Sequence, residues 1–172
     1  LILKQFETIN AMTHEVLDFA KGKVEILLRK VNVNTFLAEV TEHLKRDFAG
    51  HDVELKLKPG FTGAARFDEN KLKRVIYNIA RNAAQAMPGG GRFTLHVEKE
   101  ENVLVWRMTD TGGGIAEEMQ GRLFQSFATH GKAEGTGLGL AIVKRIAEEH
   151  GGSVTYKSKA GKGTTFIVRI PA

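Results

Sequence analysis

Three carboxamides fall on one helical face of this chain. Asn78 and Asn82 stand four residues apart and Gln85 three further on, the spacing at which helical side chains sit side by side. Val75, Ile76, Ile79, Ala80, Ala83 and Ala86 supply the apolar face of the same segment. Asn is a weak helix former, and a buried amide costs free energy unless its hydrogen bonds are met. The pattern therefore reads either as ordinary solvent-facing amides or as an oxygen ligand for Mg²⁺ with donors turned toward phosphate.

Two glycine clusters offer complementary chemistry. Asp110-Thr111-Gly112-Gly113-Gly114-Ile115 stands where a predicted strand ends. A carboxylate there can accept from an exocyclic amine while the glycines let a planar ring approach the backbone; taken alone, an Asx-type turn explains it as well. Gly135-Thr136-Gly137-Leu138-Gly139-Leu140 opens a predicted helix. Free backbone N–H groups and the positive end of the helix dipole suit a phosphate chain. The run is neither GxxxxGK[ST] nor GxGxxG. Between the clusters, Phe124 and Phe127 read as a small core anchor. Thr129, His130 and Lys132 lie beyond them, on a polar stretch able to close over a ligand. Lys132 is a candidate γ-phosphate contact by analogy with other phosphate-binding lysines.

The order of these elements, all within about sixty residues, resembles the asparagine, glycine and phenylalanine boxes of the GHKL ATPases. That superfamily joins gyrase, Hsp90, sensor histidine kinases and MutL. YNIARNAAQAM, DTGGGI, LFQSFATHGK and GTGLGLAIVKRIAEEHGG look most like the catalytic ATP-binding domain of sensor histidine kinases, over roughly residues 30–170. The resemblance implies a Bergerat-type α+β fold that binds ATP and Mg²⁺. It implies Asn82 as the Mg²⁺ ligand, Asn78 facing the phosphates and Asp110 reading the adenine amino group. Gly112 and Gly114 would shape the adenine pocket, and Gly135, Gly137 and Gly139 the hinge of a lid. Ile115, Phe127, Thr129, Lys132, Thr136, Leu138 and Leu140 complete the expected nucleotide contacts. Gln85 stands where many members carry a basic residue.

The elements that must position these groups are legible from periodicity and caps. Ile2, Phe6, Ile9, Val16 and Ala20, with Thr13, form a helical stripe ending near Lys21-Gly22-Lys23. Val24–Val31 reads as extended. A helix capped by Asn32 or Asn34 runs to about Ala49, and a strand over Val53–Leu57 stops at Pro59-Gly60. Asp68 caps a long helix through about Met87, before Pro88-Gly89-Gly90-Gly91. Phe93–Lys99 and Val103–Thr109 form one predicted hairpin, Val154–Ser158 and Thr164–Ile170 another. A short helix near Glu117–Gly121 and one from about Gly137 to His150 lie between them. The sum is a two-layer α/β sandwich, a mixed sheet covered by helices on one face, plus an N-terminal helix.

Composition narrows the function classes. The 172 residues contain no cysteine, which excludes thiolate nucleophiles and disulfide frameworks. Six scattered histidines form no HExxH, against a zinc hydrolase. A net charge of +5 is spread along the chain among acidic residues, the pattern of a solvated surface rather than a nucleic-acid footprint. Fifteen of the 19 glycines fall between Gly89 and Gly163, placing the demand for backbone freedom in the second half.

The resemblance divides the chain at residue 23. Residues 1–23 look like the end of the second helix of a dimerisation domain and residues 24–172 like the catalytic domain. His14-Glu15 lacks the basic residue and proline expected after a phosphoacceptor. The acceptor histidine is therefore expected on an upstream helix, and no nucleophile is assigned here. The expectations are a protein-histidine kinase domain that binds ATP without phosphorylating itself, homodimeric in the longer protein, with a response regulator as partner and no nucleic acid. A cytoplasmic placement goes with these, membrane anchoring of the longer protein being left open. The alternatives are an anti-sigma-factor-type serine/threonine kinase and a nucleotide-sensing module without phosphotransfer.

Overall fold

The computed structural model describes Thr13, Leu17, residues 25–128 and residues 137–172. Apart from Thr13 and Leu17, the 1–23 segment and with it the expected N-terminal helix lie outside the described residues, as do Thr129, His130, Lys132, Gly135 and Thr136. Described in order are β1 (Arg29–Asn32), α1 (Val33–Phe48), β2 (Val53–Pro59), β3 (Ala64–Phe67), α2 (Glu69–Ala86), β4 (Gly91–Glu100), β5 (Val103–Asp110), α3 (Glu117–Gln120), α4 (Gly139–Glu149), β6 (Ser153–Lys159) and β7 (Gly163–Pro171).

The helix starts follow from their caps. Asn32 Oδ1 accepts from Thr35 N at 3.0 Å to open α1, and Asp68 Oδ1 accepts from Lys71 N at 3.0 Å to open α2. Lys45 and Arg46 in the last turn of α1 complement its negative end. α2 stops at Ala86, one residue short of the predicted Met87, which is its C-cap. α4 starts at Gly139 rather than Gly137, because Gly137 has φ +68°, outside the helical region.

The main sheet has the order β2-β4-β5-β7-β6. β2 runs parallel to β4, with Val53 opposite Gly91 and Leu57 opposite Leu95, and the other neighbours are antiparallel. A parallel pair needs a long crossover, and β3 and α2 form it. β1 and β3 make a separate antiparallel pair, Arg29 opposite Phe67, which the sequence reading did not contain. This confirms the mixed sheet and the α+β class.

One face of the sheet is apolar. Phe93, Leu95 and Val97 on β4, Leu104, Trp106 and Met108 on β5, and Phe166, Val168 and Ile170 on β7 are all buried. Register aligns them across the strands, with Val97 and Val168 flanking Trp106. The buried stripes of α1, α2 and α4 belong to the same core. Trp106 is fully buried at its centre, edge-on to Phe36 and Phe67 at centroid distances of 5.5 and 6.1 Å. Such aromatic pairs add about 0.5–1.5 kcal/mol each beyond their buried area. Strand alternation carries this inner face from Met108 to Asp110. The rigid sheet thus ends in a carboxylate turned toward the helices.

Candidate functional site

Asp110 is 5% exposed. Its Oδ1 accepts from Gly112 N at 2.9 Å and from Thr164 N at 3.2 Å. Burial pushes its carboxyl above the usual carboxylate range despite these N–H donors, which act in the opposite direction. The close fit depends on two glycines. A Cβ on Gly112 would lie 2.6 Å from the Ala86 carbonyl oxygen, and one on Gly163, at φ +96°, 2.0 Å from that of Asp110. Glycine-loop and hairpin backbones therefore close around the acid at distances no other residue permits.

The loop after Asp110 is fastened on both sides. Gly113 N donates to Ala86 O at 3.3 Å, which docks the loop on the C-terminus of α2. Ile115 N donates to Ser158 Oγ at 2.8 Å, and Gly161 N to Gly113 O at 2.8 Å. Ser158 and Thr164 share a hydroxyl hydrogen bond of 3.0 Å. The final hairpin is thus a wall of the Asp110 pocket. Sequence reasoning missed Ser158, Gly163 and Thr164. Strand hydroxyls carry no site signal alone.

The middle of α2 faces the start of α4. Asn78 is 8% exposed. Its Nδ2 donates to Gly139 O at 3.3 Å, while Arg81 Nη2 lies 3.5 Å from its Oδ1. Asn78 therefore straps the two helices together. Asn82 is half-buried on the same face and Gln85 exposed. Leu138, fully buried, is the N-cap of α4; no side chain caps that helix and no acidic residue stands in its first turn. Its leading end carries the positive partial charge of the helix dipole.

The paired phenylalanines separate. Phe124 is the core anchor, edge-on to Tyr156 at 5.9 Å and Phe166 at 6.5 Å. Tyr156 in turn donates to the Gln120 carbonyl and holds the short helix α3. Phe127 is 65% exposed at φ +64°, a correction to its reading as a core residue: the left-handed backbone turns it outward. Phe127 N donates to Gly137 O at 3.0 Å, and a Cβ on Gly137 would lie 2.7 Å from the carbonyl carbon of Phe127. The described chain on either side of residues 129–136 is therefore pinned together.

Of the expected contacts, the structure gathers Asp110, Gly112, Gly114 and Ile115 with the C-terminus of α2. It gathers Asn78, Leu138, Gly139 and Leu140 where α2 meets α4, and α2 joins the two groups. The residues also suit Mg²⁺. Among the described residues no three His, Asp or Glu side chains cluster as a metal site, whereas Mg²⁺ commonly takes one or two protein oxygens and completes its shell with phosphate and water. The half-buried Asn82 carboxamide offers one such oxygen.

Residues 67–172 match the model for the histidine kinase-, DNA gyrase B-, and HSP90-like ATPase family. The chain is 30% identical over 172 residues to the sensor histidine kinase ZraS of Escherichia coli (strain K12), covering 99% of itself and 37% of that protein. It thus spans little more than a third of the curated relative. Full-length ShkA in complex with AMPPNP superposes with TM-score 0.84 at 26% identity, over 98% of this chain and 36% of ShkA. Histidine kinase ThkA in complex with response regulator TrrA shares the fold at TM-score 0.79 and 23% identity, over 99% of this chain and 49% of that one. Fold and family match agree: the chain belongs to the histidine kinase-, DNA gyrase B-, and HSP90-like ATPase family.

Proposed function

We propose that this domain binds Mg·ATP between α2, the Asp110 loop and the start of α4, and that it positions the γ-phosphate for transfer to a histidine outside residues 25–172. The observation that carries the reading is Asp110, a buried carboxylate at the edge of the core, with backbone packed closely enough around it to receive a flat heterocycle. Asp110 accepts from the adenine amino group while Gly112, Gly114 and Ile115 line the ring. The leading turn of α4, with Gly137, Leu138, Gly139 and Leu140, faces the phosphates. Phe127 is a further nucleotide contact in this reading, as are Thr129, Lys132, Gly135 and Thr136, which lie outside the described residues. Asn82 holds Mg²⁺, which supplies charge neutralisation across the terminal phosphates.

Phosphoryl transfer depends mostly on positioning and electrostatics, so the domain needs no nucleophile of its own. The γ-phosphorus–oxygen bond breaks, a phosphorus–nitrogen bond forms on the acceptor imidazole, and ADP leaves. In the longer protein the dimer brings the acceptor helix to this cleft, and a response regulator takes the phosphate. The ZraS relationship and the ThkA–TrrA fold likeness support that sequence of partners.

Titration of the chain with AMPPNP, with and without Mg²⁺, tests the site. Saturable binding lost in Asp110→Asn is expected, and binding unaffected by that change would refute the assignment. Phosphotransfer to a separately supplied acceptor domain separates a kinase from a nucleotide sensor.

A further inference from the structure

Both backbone groups of Ile115 are taken, and both ties lead to β6. Ile115 N donates to Ser158 Oγ at 2.8 Å. Ile115 O accepts from Gln120 Nε2 at 3.3 Å. A carbonyl oxygen can only accept, which fixes the way the Gln120 carboxamide points. The main-chain carbonyl of Gln120 in turn accepts from the Tyr156 hydroxyl. Tyr156 and Ser158 stand two apart on β6 and share its half-buried face.

Gln120 is the last residue of α3, a single turn whose N-cap, Ala116, makes no side-chain hydrogen bond. So short a helix does not hold itself in water. Tertiary ties must keep it in place, and two of them meet in Gln120, whose side chain turns toward Ile115 and whose carbonyl faces Tyr156. The Tyr156 ring is itself set by packing, with the Phe124 and Phe166 centroids at 5.9 and 6.2 Å. The two bonds to Ile115 act on successive peptide planes, its N–H lying in the plane before the residue and its carbonyl in the plane after it. Ser158 alone leaves Ile115 free to turn about its ψ. Gln120 removes that freedom and so sets the direction of the side chain.

We propose that Gln120 and Tyr156 are positioning residues for the base, Tyr156 acting through Gln120 to hold Ile115 where it lines the ring. The proposal rests on the nucleotide-site reading above, in which Ile115 touches the base. A wall that is already in place spares binding the entropy of ordering it.

The test is titration of the 172-residue chain and its variants with two probes, adenosine and AMPPNP with Mg²⁺, followed by NMR well below the melting transition. Tyr156→Phe removes one oxygen and keeps the ring. It is expected to weaken both probes by the same factor, about two- to ten-fold, the scale of one net hydrogen bond. Gln120→Met, similar in length but without a donor, should do likewise. Adding Tyr156→Phe to Gln120→Met should cost no further affinity, since the route to Ile115 is already cut. The Ile115 amide resonance should move in each variant before any ligand is added. A purely structural pair would lower the melting temperature and leave both affinities at wild type, which overturns the proposal. So does a loss confined to AMPPNP, or losses that multiply in the double variant. In each of these cases the site reading stands as long as Asp110→Asn loses AMPPNP. A wild-type chain that binds neither probe overturns both.

Discussion

Asp110 and Thr164 stand 54 residues apart in sequence and 3.2 Å apart in space, the carboxylate of one accepting the backbone N–H of the other. This bond brings the last hairpin to the end of β5 and makes the acid's pocket. It also has a pH signature. The native carboxyl is raised above the ordinary value, about 3.9, and must be ionised to accept from an adenine amine without donating. Nucleotide affinity should therefore fall as pH drops through a value above the ordinary carboxylate range. Folding has the opposite sign: the native state holds this proton more tightly, so the ionised group costs stability once pH passes the unfolded value. Asp110→Asn should lose AMPPNP binding at least about a hundred-fold with no fall in thermal midpoint at pH 7. Calorimetric titration across pH, with melts of both proteins, checks both parts.

Asn82→Ala separates the metal from the base. Asn82 is half-buried and lies on the α2 sector facing α4, away from the Asp110 loop at the helix end. The variant should bind AMPPNP in EDTA as wild type does and lose most of the gain that Mg²⁺ gives wild type. Paired titrations in EDTA and in Mg²⁺ read this directly. An undiminished Mg²⁺ effect would remove Asn82 from the metal.

The reach of the sequence here follows physical range. α1 and α2 were legible because local signals fix them: Asn32 and Asp68 cap them, and i, i+4 apolar stripes face the core. The parallel β2–β4 pair was not, because two strands separated by α2 leave no turn signal to announce their adjacency. β3 was missed since Ala64-Ala65-Arg66-Phe67 is too short and weakly alternating to register as a strand. Asp110 and its glycines were visible as a motif. Ser158 and Thr164 were not, because a strand hydroxyl becomes part of a site only when the sheet brings it there. Phe127 misled because spacing shows where a helical face would fall, and its backbone at φ +64° is not helical.

Two glycines of the final hairpin should respond differently to the same methyl group. Both have positive φ, +71° at Gly161 and +96° at Gly163. A Cβ at Gly161 meets nothing within 4 Å, whereas one at Gly163 lies 2.0 Å from Asp110 O. Gly161→Ala should cost only backbone strain, about 1–2 kcal/mol. Gly163→Ala should cost more, with a thermal midpoint lower by roughly 6 °C or beyond, and should weaken AMPPNP because Asp110 is displaced. Equal melting and equal binding in the two variants would show that the hairpin does not shape the pocket.

His150 provides a structural counterpart away from the candidate site. Its ring is buried at the end of α4, where Nε2 accepts from Asp68 N at 3.1 Å and Nδ1 lies 2.8 Å from Ile146 O. Asp68 in turn caps α2 and accepts from Leu27 N at 2.9 Å through Oδ2. One imidazole thus joins the far end of α4 to the start of α2, while Asn78 and Gly139 join the two helices at the site. His150→Ala leaves a buried N–H unsatisfied and opens a void, together about 2–4 kcal/mol. Urea unfolding should show that loss, and His150→Gln should recover part of it by offering an amide oxygen to Asp68 N. AMPPNP affinity measured well below the unfolding transition should change less than two-fold, because the Asn78–Gly139 strap still holds the site end of α4. A large affinity loss in a folded His150→Ala protein would mean that the two ends of α4 are coupled, and that the strap alone does not position the phosphate-binding turn.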